Sequence, residues 1–399
     1  MDLRPARTMA DAHNPLNRLS PVYLDHAAAT PLLPQVAAMH ARLCQQFFAN
    51  PHAATSLSED ARRAIDVAGR RFLELLGIAE DEAQVIWTSG GTESVNLGCL
   101  GALRGRRPPV LGLVDPAAHA SVLEASREGV GAPERCLALP LDSRGRFDLE
   151  KPVPAGSADA ALLAVCHVNN ETGAVHDLVR LRQWMVGGAP KAALMVDAIQ
   201  SFGKMDIPWR AARIDLLAVS GRKIGGPPSV GALVRRRGVQ LQPLFFGGGQ
   251  QDGLRPGTVD VVGVLEFVEA AALACGERAS EWTRVTGLNR RLREGLATLG
   301  RTCQPQCHSP EDASPYILSV AFPGCEGEVL ARLVELENVI VGTGSACSAR
   351  SGKSSHVLAA MGVPAPVSRS TLRVSFGPST TEHDIDRLMC ALRTALAKY

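Results

Sequence analysis

The chain has 399 residues, long enough for two domains and a large core. Its 46% hydrophobic and 21% charged content is the balance of a soluble globular protein, and a formal net charge of +2 gives no electrostatic case for nucleic acid or an anionic membrane surface. No apolar run reaches the ~20 residues that a membrane-spanning helix requires.

In chain order, residues 1–21 carry no apolar stretch of the kind that marks a secretory signal and read as an extension. Val22 to Thr30 is extended and ends at the Pro31 turn. Apolar spacing predicts a helix from Gln35 to Phe47, then an Asn50-Pro51-His52 turn. A longer helix from about Ser58 to Leu76 carries Ile65, Val67, Phe72, Leu75 and Leu76 on one face, with Gly77 closing it. Ala83 to Trp87 reads as a strand that runs through Thr88-Ser89-Gly90-Gly91-Thr92-Glu93-Ser94 into a helix ending near Leu103. Such a turn suits an anion, because free N–H groups and the helix dipole converge where glycine allows close approach; it also suits an ordinary capped strand-to-helix turn.

Pro109 to Val114 is a predicted strand, and a helix begins at His119. Leu137 to Leu141 and Ala161 to Cys166 are further strands, the second delivering His167-Val168-Asn169-Asn170-Glu171-Thr172-Gly173 at its end. After a helix around Leu178 to Val186, two buried strands follow. One, Ala193 to Val196, stops at Asp197; the other, Ile214 to Val219, stops at Ser220-Gly221-Arg222-Lys223. Strands alternating with helices imply a mostly parallel sheet, and ligands gather outside the carboxyl ends of such strands. An Asp and a Lys delivered there match the needs of pyridoxal phosphate: an amine for the Schiff base and a carboxylate for the pyridine nitrogen. The same pair would also serve as a plain ion pair.

Beyond a strand from Gly231 to Arg236, the glycine-rich run Phe245 to Thr258 reads as an irregular loop. Val261 to about Leu299 is helical, as one helix or two, and forms the natural hinge between domains. The remainder reads as a smaller α+β unit: strands Tyr316 to Ala321, Val339 to Val341 and Thr371 to Ser375, with helices Glu326 to Leu336, Ser355 to Met361 and Thr381 to Lys398. The expected organisation is an N-terminal extension over 1–21, a large domain over 22–265 whose first residues contribute to the small domain, and a small domain over 266–399 that carries the Cys347 stretch.

Ten cysteines are scattered without a CxxC pair or a second zinc-spaced pair, which fits a reducing cytoplasm and calls for no metal. Most sit among apolar neighbours. Cys347 differs: the stretch Gly342 to Ser355 is almost all small or polar, and Arg350 and Lys353 beside it favour a thiolate.

Together YLDHAAATP, ANP, TSGGTES, AAHASVLEA, HVNNETG, VDAIQS, SGRKIGGP, GGGQQDGLRPGT, GSACSAR, SSHVL and TLRVSFGPSTTEHDID resemble, in order, the cysteine desulfurases of the class V aminotransferase family. The resemblance runs from about Tyr23 to the C-terminus and is nearest the NifS- and IscS-like members. It implies the α/β fold of the type I pyridoxal-phosphate transferases, a large domain around a mostly parallel seven-stranded sheet plus a smaller C-terminal α+β domain. By position it implies that Lys223 carries the Schiff base, Asp197 meets the pyridine nitrogen and Gln200 meets the phenolic oxygen. Gly91, Thr92 and Ser220 hold the phosphate, aided by Arg222 and by Thr258 from the second subunit of a homodimer. His119 stacks on the ring and moves protons. Asn170 touches the cofactor and, with Asn50 and Arg373, binds the substrate carboxylate; Cys347 is the nucleophile.

The implied activity is removal of sulfur from L-cysteine, leaving L-alanine and a persulfide on Cys347 for a protein acceptor. Alternatives on the same fold are a selenocysteine or cystine C–S lyase and a silent sulfur-transfer scaffold. Three departures from the family pattern stand out. Arg222 takes the place of the usual His, the stretch after Asn50 lacks the His and the Gly of the family's NPSSxHxxG pattern, and the chain stops at Tyr399 without the longer tail used in docking the iron–sulfur scaffold.

Overall fold

The computed structural model describes residues 21–300, 303–344 and 354–399. Its centre is a seven-stranded sheet built from β2 (Ala83–Thr88), β3 (Gly112–Val114), β4 (Cys136–Ala138), β5 (Leu162–Cys166), β6 (Ala193–Asp197), β7 (Leu216–Ser220) and β8 (Gly231–Arg236), in the order β2-β8-β7-β6-β5-β3-β4. All neighbours run parallel except β8, which is antiparallel to both β2 and β7.

Alternation along the central strands explains why the sheet is covered on both faces. Leu163, Val165, Leu194, Val196, Leu217 and Val219 belong to one buried cluster, which the helices Ser56–Leu75 and Leu178–Gly188 close with Phe72, Leu73, Leu181 and Met185. Leu162, Ala164, Met195, Leu216 and Ala218 point the other way. They pack under the helices Gly91–Arg104 and Ala120–Val130 through Val95, Leu97, Leu103, Val122 and Leu123.

The smaller unit has its own core. There β10 (Ile317–Ala321) lies between β12 (Thr371–Ser375) and the short β9 (Gln306–Cys307), all antiparallel. Beside it, β1 (Val22–Leu24) pairs in parallel with β11 (Val339–Val341), so the first described strand belongs to this unit. A single helix, Val261–Ala297, joins the two cores. Val264 and Phe267 near its start pack on the large sheet, while Val285, Leu288, Leu292 and Leu296 pack in the small core.

Some sequence expectations are corrected in detail. The helix expected over Gln35 to Phe47 is two pieces, Pro34–Ala37 and His40–Gln46, because the Met39 N–H bonds to Val36 O, one residue short of the α spacing. The strand expected from Pro109 starts only at Gly112, since neither Pro108 nor Pro109 has an N–H to donate. The strand expected to Leu141 ends at Ala138; Leu139 donates once more, to Val114 O, before Pro140 ends the ladder. The helix Ala365–Arg369 and strand β9 were not expected at all. No helix of the described residues is long and apolar enough to cross a membrane.

Candidate active site

The carboxyl ends of β5, β6 and β7 open onto a cavity of about 430 Å³. The register accounts for its floor: Cys166 pairs with Asp197, Asp197 with Ala218, and Ser220 with Gly231. β5 and β6 therefore end at the same level, β7 runs two residues further, and all three present their last polar side chain to the same space. Of the residues singled out in the sequence, Gly91, Thr92, His119, Asn170, Asp197, Gln200, Ser220, Arg222, Lys223 and Arg373 all line it.

Lys223 sits on a 3₁₀ turn directly after β7 and donates from Nζ to the carbonyls of Ala27 (2.8 Å) and Ala28 (2.6 Å). Burial lowers its pKa to about 8, with the charges of Arg373 and Arg222 adding to the effect. Roughly a tenth of the amine is therefore unprotonated at neutral pH, far more than for an ordinary lysine. Asp197 lies under the same cavity, its Oδ1 accepting from Ile199 N at 2.9 Å, and burial raises its pKa to about 6. A cationic partner is what that carboxylate lacks. His119 caps the helix Ala120–Val130, its Nδ1 accepting from Ser121 N at 3.1 Å, so the ring proton resides on Nε2 when neutral. Burial, then the charge of Lys223, lowers its pKa.

Arg373 comes from the small unit, on β12, and is almost wholly buried. Nη2 donates to Asp25 Oδ1 at 2.7 Å and Nη1 to the Asn170 carbonyl at 2.9 Å, while Nε has no partner among the described residues. Two cores thus meet at one guanidinium.

Other expected residues lie elsewhere. Asn50 is exposed and its Oδ1 accepts from His52 N at 3.0 Å; it does not line this cavity. Thr258 is also exposed and lies off the cavity of its own chain. Cys347 lies outside the described residues. The stems of its stretch are held: Gly342 and Arg373 exchange backbone hydrogen bonds, and Ser355 Oγ donates to Glu171 Oε2 at 2.6 Å.

Sequence reasoning missed Asp25, Glu171, and the carbonyls of Ala27 and Ala28. It also missed a buried trio beside Asp197. There the Cys166 thiol donates to Asp115 Oδ2 at 3.0 Å, and His176 Nε2 lies 3.4 Å from the same oxygen. Cys166 is thus a hydrogen-bond donor, not only a small apolar filler. Acidic Asp25 in YLDHAAATP was the one signal that could have been paired with Arg373 in advance.

The residues fit pyridoxal phosphate on several observations. Gln200 Nε2 is engaged by Ala27 O at 2.9 Å, but its buried Oε1 has no partner. The helix Gly91–Arg104 begins at Gly90 with no side-chain cap, leaving its first N–H groups facing the cavity beside Ser220. Gly91 packs so closely on Ile199 that any Cβ there would collide with it. An anion-binding turn, a buried carboxylate without a cation among the described residues and an amine of lowered pKa are the complement of that cofactor's phosphate, ring nitrogen and aldehyde.

Residues 22–388 match the family pattern described as aminotransferase class-V. The chain is 35% identical over 374 residues to a cysteine desulfurase of Cereibacter sphaeroides, covering 92% of this chain and 94% of that one. Its fold superposes on a NifS-like protein with a TM-score of 0.85 at 27% identity, covering 95% of this chain and all (100%) of that one. It also superposes on SspA, solved in complex with cysteine, with a TM-score of 0.73 at 27% identity, over 90% of this chain and 100% of that one. The chain belongs to the pyridoxal-phosphate-dependent class V aminotransferases, within the cysteine desulfurase family.

Proposed function

We propose that this protein removes sulfur from L-cysteine, giving L-alanine and a persulfide on Cys347, and that it does so as a cytoplasmic homodimer. The observation that carries the reading is the convergence of Lys223, Asp197, His119 and Arg373 on one cavity. Lys223 would hold pyridoxal phosphate through Nζ, Asp197 would face its ring nitrogen, and Gln200 Oε1 would face its phenolic oxygen. Gly91, Thr92, Ser220 and Arg222 would receive its phosphate, with Thr258 supplied by the second copy. Once bound, the group supplies an electron sink for the pair left behind when the substrate loses its α-proton.

The chain's own residues do the rest. Arg373, held by Asp25 on one arm, lines the cavity and is the side chain suited to a carboxylate. Asn170 lies next to it. Lys223 Nζ, largely unprotonated above about 8, takes the α-proton when free of the cofactor. His119 carries its proton on Nε2 and can give it up or take it back within the cavity. Cys347 thiolate attacks the substrate sulfur. An S–S bond forms and the substrate C–S bond breaks; its electron pair goes to the carbon, which is protonated to give alanine. The persulfide sulfur then passes to a protein acceptor.

Incubation of the cofactor-loaded protein with L-cysteine tests this directly. The wild type is expected to release alanine, with sulfide in the presence of a thiol reductant, and Lys223→Ala is expected to release none. A loaded wild type that makes no alanine would overturn the reading.

A further inference from the structure

A second cavity, of about 510 Å³, shares only Lys223 with the catalytic one. Most of its wall is apolar, with Leu32, Leu33, Leu273 and Phe376 prominent. Its polar wall is unusual. Lys204, only 8% exposed, lines the cavity with its Nζ 5.2 Å from the Tyr316 ring centroid. Among the described residues no carboxylate lies within ion-pair reach of that ammonium and no oxygen accepts from it. Beside it His26 is 1% exposed, and neither of its ring nitrogens has a partner. Gly377 makes room for this ring, since a Cβ there would collide with Nδ1.

An ammonium that opens on a mostly apolar cavity with no carboxylate beside it is costly, and an anion relieves it. We propose that this cavity binds a small organic monoanion, a carboxylate on a short apolar body, with its head on Lys204 and its tail along Leu32, Leu33, Leu273 and Phe376. The remaining charges refine the choice. Glu281 is already paired with Arg284 at 2.7 and 2.8 Å, so it does not cancel Lys204. Glu277 is exposed on the lining and disfavours a second negative charge on the ligand. Monocarboxylates are therefore preferred to dicarboxylates. Since Lys223 lines both cavities, an anion on Lys204 also changes the field at the catalytic amine.

Burial and the charge of Lys223 lower the Lys204 pKa to about 7. The other groups facing it are His26, Lys223, Glu277, Glu281, Arg284 and Tyr316. Burial, aided by the charge of Lys204, keeps His26 neutral with a pKa of about 4, and burial pushes the Tyr316 phenol up. With Lys223 occupied by the cofactor, Lys204 is the group in this set whose titration falls near neutrality. An anion bound to it favours its protonated form, so binding takes up a proton.

Calorimetric titration of the cofactor-loaded protein with hexanoate and, separately, with hexan-1-ol tests this. Hexanoate is expected to bind about tenfold tighter or more, the scale of one charge-assisted contact. Its affinity should fall as pH rises past neutrality, and its heat should vary with buffer ionisation enthalpy as a proton is taken up. In Lys204→Met the preference for hexanoate should vanish while hexan-1-ol binds as before. The proton-uptake measurement needs no variant, so it decides the matter even if Lys204→Met folds poorly. Equal binding of the two probes, or no binding, would overturn the proposal. Hexanoate binding that persists in Lys204→Met would place the anion on Arg373 in the catalytic cavity and overturn it equally.

Discussion

Arg373 was legible in the sequence, but its setting was not. The motif marks an arginine; only the fold shows that Asp25, 348 positions away, fixes one arm of it at 2.7 Å and leaves Nε without a partner among the described residues. Breaking a fully buried pair from one side costs about 3–5 kcal/mol, and Asp25 is partly exposed, so the low end of that scale applies. Asp25→Ala is therefore expected to lose stability on that scale in chemical denaturation and to raise KM for L-cysteine more than it lowers kcat. Lys223 carries a second prediction at this scale. An amine with its pKa lowered to about 8 gains reactivity as pH rises through that value. Cofactor capture by the cofactor-free protein should accelerate between neutrality and about that pH and then level off, as read from the absorbance of the bound group. Continued acceleration toward the pKa of an ordinary lysine would contradict the burial argument.

At the scale of elements, the strand ends were readable because each apolar run stops at a polar residue, as at Asp197 and Ser220. Which strands lie side by side was not readable, and that is what gathers the site: the order β7-β6-β5 is set by long-range pairing, not by local pattern. The anion turn packs on the loop after β6. Gly91→Ala would press a methyl on the tip of Ile199, which must swing aside in the catalytic cavity, and should weaken cofactor retention in equilibrium dialysis with little loss of stability. Glu171 was passed over as part of a polar motif, yet its carboxylate ties down Ser355, the cap of the helix His356–Ala360 that follows the Cys347 stretch. Because a misplacement of about 1 Å can cost up to ~10²-fold, Glu171→Ala should slow alanine formation by about tenfold or more. Cofactor absorbance should stay unchanged, since Glu171 does not line the catalytic cavity. Glu171→Gln, which keeps an acceptor for Ser355, should recover part of the rate.

For the whole molecule, the pattern changes after the long helix, and the resemblance assigns the first residues to the small domain. The sequence left open whether one helix or two joins the cores, and could not show that β1 pairs with β11; the structure has one unbroken helix of 37 residues there. The Phe245 to Thr258 loop exposes Phe246 at 92% and Phe245 at 54%, an apolar display next to the threonine assigned to a second copy. Phe246→Asp is expected to shift the protein toward monomer in sedimentation velocity and to loosen its cofactor together with that shift. A dimer unaffected by this change would remove the loop from the proposed subunit contact.

The central claim is that sulfur leaves L-cysteine for Cys347. Intact-protein mass spectrometry after a single turnover with L-cysteine, combined with mapping of the modified peptide and assay of alanine, tests it most directly. The wild type should gain the mass of one sulfur atom on Cys347, with one alanine released per sulfur bound. Cys347→Ala should keep its cofactor but gain no sulfur and release no alanine. Undiminished alanine release by Cys347→Ala, or sulfur mapped to another cysteine, would contradict the account.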